Sequence, residues 1–175
     1  MKKNIIYDSI KSYFEHQAIE KFEPNKSKIT VGFPCYDSSE IISALDSLID
    51  LNISQGKKVK QFESDYSKYI GMKYGVACNS GSSANLLALT SLVMSGIVPK
   101  GSEVIVPAAT FTTVISPIIQ AGLKPVFVDV EMDTYNISSN SIENAITDST
   151  SLIMVVHSLG NPANMNEIMK LSEKY

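Results

Sequence analysis

The sequence predicts an α/β protein in three layers, a mostly parallel sheet held between two layers of helices. From Tyr74 onward, short apolar runs alternate with helical patterns in the order β, α, β, α, β, α, β, α. The later runs, Val126-Phe127-Val128 and Leu152 to Val156, are almost continuously apolar, as strands covered on both faces are. No repeat or low-complexity stretch interrupts the pattern, and 175 residues are enough for about one domain. The expected division is an N-terminal helical segment, 1–72, leading into a sheet-bearing part, 73–175.

Residues Asn4 to Phe22 place Ile6, Ile10, Phe14, Ile19 and Phe22 at helical spacing, which predicts one amphipathic helix. Glu23 to Lys28 reads as a polar linker. Ile29 to Cys35 reads as a short extended piece broken by Gly32 and Pro34. Asp37 and Glu40 form a capping box ahead of the stripe Ile41, Ile42, Leu45, Leu48 and Ile49. Ser54 to Val59 reads as a loop with Lys57 and Lys58 as solvated charges, and Gln61 to Ile70 as a helix. Strands are expected at Tyr74–Cys78, Glu103–Pro107, Pro125–Asp129 and Leu152–His157. Helices are expected at Ser82–Ser95, Phe111–Ala121, Ser139–Ile146 and Asn164–Lys174.

Composition narrows the function classes. Apolar residues make up 44% and charged residues 19%, with a formal charge of −3 and no basic tract, so nucleic acid is not an expected partner. No apolar run reaches the roughly 18 residues a membrane span needs. The start, Met1 to Asp8, lacks the apolar core of a secretory signal, and the expected location is cytoplasmic. Cys35 and Cys78 lack metal-ligand spacing and read as buried thiols, so no metal site is expected. Neither G-x-S-x-G nor H-E-x-x-H occurs.

In open α/β sheets, ligands collect at the carboxyl ends of the strands. Gly81, Ser82 and Ser83 follow the first expected strand. They are small residues at a helix start, where unpaired N–H groups and the helix dipole suit a phosphate. An ordinary Ser-capped helix fits the same residues. Thr110 to Thr113 follow the second strand, with Phe111 either a core residue or a stacking platform, and the threonines either caps or contacts. Asp129 and Glu131 follow the third, and Asp129 reads as a loop-organising carboxylate. His157 and Asn161 follow the fourth, with His157 structural or hydrogen-bonding at a site.

The stretch Asn79-Ser-Gly-Ser-Ser-Ala-Asn-Leu-Leu-Ala-Leu89 resembles the phosphate-binding turn of the DegT/DnrJ/StrS sugar aminotransferase family, and most of all its CDP-4-keto-6-deoxyglucose 3-dehydrase branch. Four further segments resemble family motifs in order: Pro107 to Phe111, Val126 to Val130, Asp133 to Ile137 and His157 to Met165. The resemblance runs from about Lys21 to the last residue. It implies part of the large domain of a fold-type-I enzyme, with pyridoxal 5′-phosphate (PLP) or pyridoxamine 5′-phosphate as cofactor. Gly81, Ser82 and Ser83 would hold the phosphate, Phe111 would stack on the pyridine ring, and His157 and Asn161 would lie near the cofactor.

The resemblance also implies a nucleotide-diphosphate sugar substrate, an amino donor, a role in polysaccharide biosynthesis and a homodimer. The first helix and the Gln55–Lys57 segment would reach the neighbouring subunit. The family's Asp on the pyridine nitrogen, and the Lys (His in the 3-dehydrase branch) that moves the proton, would lie beyond Tyr175. On that reading the chain is an N-terminal fragment with no catalytic residue of its own and no turnover. Sugar aminotransferase is the expected class. The alternatives are a 3-dehydrase acting on a nucleotide-linked 4-keto-6-deoxyhexose, or a non-catalytic phosphate-binding or partner protein. A Rossmann dinucleotide domain lacks its glycine fingerprint.

Overall fold

Residues 3–16, 22–29 and 35–175 are described by the computed structural model, which divides into two units, 1–75 and 76–175. The expected helix residue Ile19 and the breakers Gly32 and Pro34 lie outside the described residues.

Among the described residues, the first unit holds three helices. Helix α1 (Lys3–Glu15) packs on α2 (Ser38–Ile49) without burying a residue. Its attachment is polar: the Tyr7 hydroxyl donates to Asp46, and the Lys3 ammonium lies 2.5 Å from Asp50 and 3.5 Å from Asp46. Helix α2 starts on the expected capping box, with Asp37 accepting from the Ser39 N–H at 2.6 Å and Glu40 accepting from the Asp37 N–H at 2.8 Å.

Helix α3 (Lys57–Tyr69) starts four residues before the expected Gln61. Lys57 and Lys58 are therefore in its first turn and not in a loop. Gly56, in extended conformation, serves as N-cap, and the run that follows is of helix-forming residues, whose propensity outweighs the unfavourable positive charge at that end. Lys58 bends back to donate to the Ser43 carbonyl and hydroxyl on α2.

The second unit is an α/β layer structure. Strands β1 (Glu103–Pro107), β2 (Lys124–Val128) and β3 (Thr150–Ile153) form a parallel sheet in the order β2-β1-β3. Val104 stands opposite Pro125 on one side and Leu152 on the other. Alternation along β1 builds both cores. Val104 and Val106 pack with Leu89 of helix α4 (Gly81–Met94) and with Val114 and Ile118 of α5 (Thr112–Gln120). Ile105 packs on the opposite face with Ile142 of α6 (Ser139–Ala145) and Ile168 and Leu171 of α7 (Met165–Lys174). Each fully buried isoleucine contributes about 1.5–3 kcal/mol.

Two strand expectations are corrected. Residues 74–78 are not part of a strand: none of β1, β2 and β3 pairs with them, and Val76 is exposed. The fourth expected strand, Leu152–His157, ends at Ile153. After the bond from Met154 N–H to the Ile105 carbonyl, the facing position on β1 is Pro107, which has no N–H to give. The period-2 alternation persists beyond the pairing: Leu152, Met154 and Val156 meet one core, Ile153 and Val155 the other. Both cysteines are exposed, contrary to the expected burial; each sits in a segment that no described strand covers. Among the described residues, no helix is long and apolar enough to cross a membrane.

Candidate functional site

Because the three strands are parallel, the segments leaving their carboxyl ends share one edge of the sheet. Ala108 to Phe111 leave β1, Asp129 leaves β2, and His157 leaves the β3 side. Helix α4 starts close by. Its N-cap is Ser80, whose hydroxyl accepts from the Ser83 N–H at 3.2 Å and whose carbonyl accepts from the Ala84 N–H at 3.0 Å. The first-turn N–H groups of Gly81 and Ser82 remain outside the helix ladder. A Cβ at Gly81 would meet no atom within 4 Å, so the start of α4 opens to a close approach by a ligand.

The starts of α4 and α5 are tied together by a proline. Pro117, buried inside α5, has no N–H for the Thr113 carbonyl one turn earlier. The Asn85 amide of α4 supplies the missing donor at 3.1 Å. This bond lies one turn past Gly81 on α4 and two residues past Phe111, and so brings both helix starts to the same place. Phe111 is the uncapped N-cap position of α5 and is 70% exposed, so it is not a core residue. Beside it, the Thr110 hydroxyl oxygen is buried and has no hydrogen-bond partner among the described residues.

On the other side of the edge, His157 opens a single 3-10 turn (Ser158–Gly160) ending at Asn161. His157 Nδ1 accepts from the Ala163 N–H at 3.0 Å. Asn161 is exposed, and its side-chain amide has no partner among the described residues. Asp129 accepts from the Val130 N–H at 3.0 Å and its backbone carbonyl from the Ser138 N–H at 3.4 Å, the loop-organising arrangement expected of it. Lys100 and Lys124 lie at the opposite, amino ends of the strands.

The arrangement offers free N–H groups and hydroxyls at a helix start, an exposed flat ring and a buried unpartnered hydroxyl along one edge. These suit a ligand carrying an anionic group and a planar ring. Sequence reasoning missed Asn85 as a residue that holds this edge together. Asn85 was legible in principle: a proline four residues after Thr113 announces an orphaned carbonyl. A concavity of about 750 Å³ lies elsewhere, along the outer edge of β3 among Ile146, Leu152, Met165, Met169 and Tyr175.

The chain has the fold of part of the fold-type-I PLP enzymes. It superposes on the GDP-4-keto-6-deoxy-D-mannose-3-dehydratase of E. coli, solved with bound hydrated PLP, with a TM-score of 0.75 and 39% identity over 82% of this chain and 37% of that one. It superposes on an aminotransferase of Psychrobacter cryohalolentis with a TM-score of 0.69 and 32% identity over 82% of this chain and 36% of that one. In sequence it is 36% identical to the dTDP-4-dehydro-2,6-dideoxy-D-glucose 3-dehydratase of Saccharopolyspora spinosa, over 99% of this chain and 38% of the relative. Residues 35–175 match the DegT/DnrJ/EryC1/StrS aminotransferase family, and the chain belongs to it. The chain spans less than two-fifths of the length of these relatives.

Proposed function

We propose that the protein uses PLP, or its amino form, to remove the C3 hydroxyl of a nucleotide-linked 4-keto-deoxy sugar. The observation that carries this reading is the open start of α4 beside the exposed ring of Phe111, on a chain whose similar relatives include sugar 3-dehydratases. The residues fit the cofactor: Gly81 and Ser82 N–H groups and the Ser82 and Ser83 hydroxyls receive the phosphate, Phe111 covers one face of the pyridine ring, and His157 and Asn161 flank it. When bound, the cofactor supplies an electron sink. The chain's own residues bind and orient it. Lys100 and Lys124 stand at the wrong end of the sheet, and His157 has one ring nitrogen committed to Ala163, so none of these three is assigned as the proton-moving base.

A homodimer is part of the same proposal. Its support is the apolar surface of residues 3–75, where Phe62 and Tyr66 stack at 5.6 Å while exposed.

The second reading is amino transfer to the same class of sugar, favoured by the likeness to an aminotransferase. The test incubates the protein, as expressed from its gene, with PLP, glutamate and a nucleotide-linked 4-keto-6-deoxyhexose, and weighs the product. A sugar lacking the C3 hydroxyl supports the dehydratase reading; an amino sugar supports the second. PLP binding that is unchanged in Phe111→Ala and Gly81→Val sinks the site itself.

A further inference from the structure

Asn136 is buried at 3% exposure in the turn after β2, and its side chain reaches across to the strap 157–161. The Ser158 N–H donates to Asn136 Oδ1 at 2.9 Å, and Asn136 Nδ2 donates to the Asn161 carbonyl at 3.1 Å. Since an N–H can only donate and a carbonyl can only accept, these partners dictate which way the amide faces. The Ser158 hydroxyl adds a bond to the Tyr135 carbonyl at 2.7 Å. Tyr135 itself is left-handed, with φ 56°, which turns its carbonyl toward the strap.

The strap needs such a grip. Leu159 and Gly160 are left-handed in succession, at φ 54° and 79°, and Leu159 is an L residue in a region such residues rarely adopt. Leu159 is exposed and buries nothing that would hold the turn. Within the strap, the Ala163 N–H occupies His157 Nδ1, so the neutral ring carries its proton on Nε2.

We propose that Asn136 is a positioning residue for the cofactor edge. It clamps both ends of the strap, so that His157 presents Nε2–H and Asn161 presents its free amide in one arrangement beyond β3. No other side chain of this size does both jobs: Asp has no donor for Asn161, Leu neither donor nor acceptor, and Gln adds a methylene to a filled site. The inference rests on the reading of His157 and Asn161 as cofactor neighbours.

The test uses the protein as expressed, with PLP as probe in equilibrium dialysis. Asn136→Ala is expected to weaken PLP binding about tenfold, the equivalent of roughly 1.4 kcal/mol for two buried hydrogen bonds. Thr134→Ala is the control. The Thr134 hydroxyl accepts the Asn136 N–H at 3.2 Å and supports the same turn without touching the strap. It is expected to lower the thermal midpoint while PLP affinity stays within about twofold. Asn136→Asp is expected to bind poorly at neutral pH and to recover, relative to wild type, as the pH falls and a protonated acid can donate to Asn161. Hydrogen exchange at Ser158 is expected to quicken in Asn136→Ala and not in Thr134→Ala. If Asn136→Ala does not fold, the Asn136→Asp pH series decides. Wild-type affinity at neutral pH in either Asn136 variant, while Phe111→Ala binds weakly, overturns the clamp and leaves the site standing. Wild-type affinity in Phe111→Ala as well overturns the site reading beneath it.

Discussion

Every buried aliphatic side chain among the described residues lies between Leu89 and Leu171, whereas in residues 3–75 the buried residue is Ser67. The second unit buries apolar side chains on both faces of β1. The first holds helix to helix by Tyr7, Lys3 and Lys58 across to α2, and leaves Tyr13, Phe62, Tyr66 and Tyr69 exposed. Local helix signals are sufficient to shape the first unit, but among its described residues much apolar surface stays exposed. Stability and site geometry reside in the second.

Core deletion breaks this comparison most sharply. Ile105→Ala or Ile118→Ala is expected to cost about 2–5 kcal/mol, through lost burial and the cavity left behind. Leu48→Ala, on the exposed side of α2, is expected to fall within about 0.5 kcal/mol. Urea titrations with a far-ultraviolet signal check both; similar losses at Ile105 and Leu48 would show that the first unit has a core of its own.

The Asn85–Thr113 bond is next in size. Asn85→Ala leaves the exposed Thr113 carbonyl with neither Pro117 nor Asn85, only water, to satisfy it, at a cost of up to about 1.5 kcal/mol. Pro117→Ala restores a helical donor for the same carbonyl. The double variant is therefore expected to lose less than the sum of the two single losses. Strict additivity would mean that the proline and the asparagine are unrelated. Ser80→Ala is smaller, about 1 kcal/mol, since it removes only the α4 cap.

Much of the second unit was legible in the sequence because its signals are periodic and local. The strands at Glu103–Pro107 and near Pro125 declare themselves by apolar runs. The helix expected at Ser82–Ser95 lies within a residue of α4, as in the first unit the capping box at Asp37 marks the start of α2. What was not legible depended on partners far away in sequence. Residues 74–78 have the composition of a strand but no neighbour among the described strands. Lys57 looked like a loop residue because its charge opposes the helix dipole, and Gly56 hid the cap. At the site, the sequence marked the groups a ligand would meet, Gly81, Ser82, Ser83, Phe111, His157 and Asn161. The residues that fix them, Asn85 and Asn136, lie 28 and 25 or fewer positions from their partners; Pro117 announces an orphaned carbonyl, but nothing local says which donor meets it.

The smallest expected effect is in pH. In the first unit, the Tyr7 hydroxyl and then Lys3 hold the Asp46 carboxyl below its ordinary value of 3.8. In the second, the Lys174 ammonium, 2.7 Å away, holds the Glu143 carboxyl below its ordinary 4.5. A depressed carboxyl contributes above its unfolded value and loses that contribution as the pH falls through its folded one. Lys174 is raised in turn, chiefly by Glu143, so its side of the pair is intact below the ordinary lysine value of 10.5 and fades only above the raised one. Both pairs are therefore whole at neutral pH and are lost on acidification below about 4. Both are exposed, and salt weakens both. The consequence differs between the units. Helix α7 stays docked through Ile168 and Leu171 when Glu143 protonates, whereas α1 buries nothing and relies on its polar links to Asp46 and Asp50. Hydrogen exchange between pH 6 and pH 3, corrected for intrinsic rates, is expected to show α1 losing protection before α7, and Asp46→Asn is expected to reproduce the loss in α1 at pH 6. Equal loss in the two helices would mean that α1 is held by contacts other than these side chains.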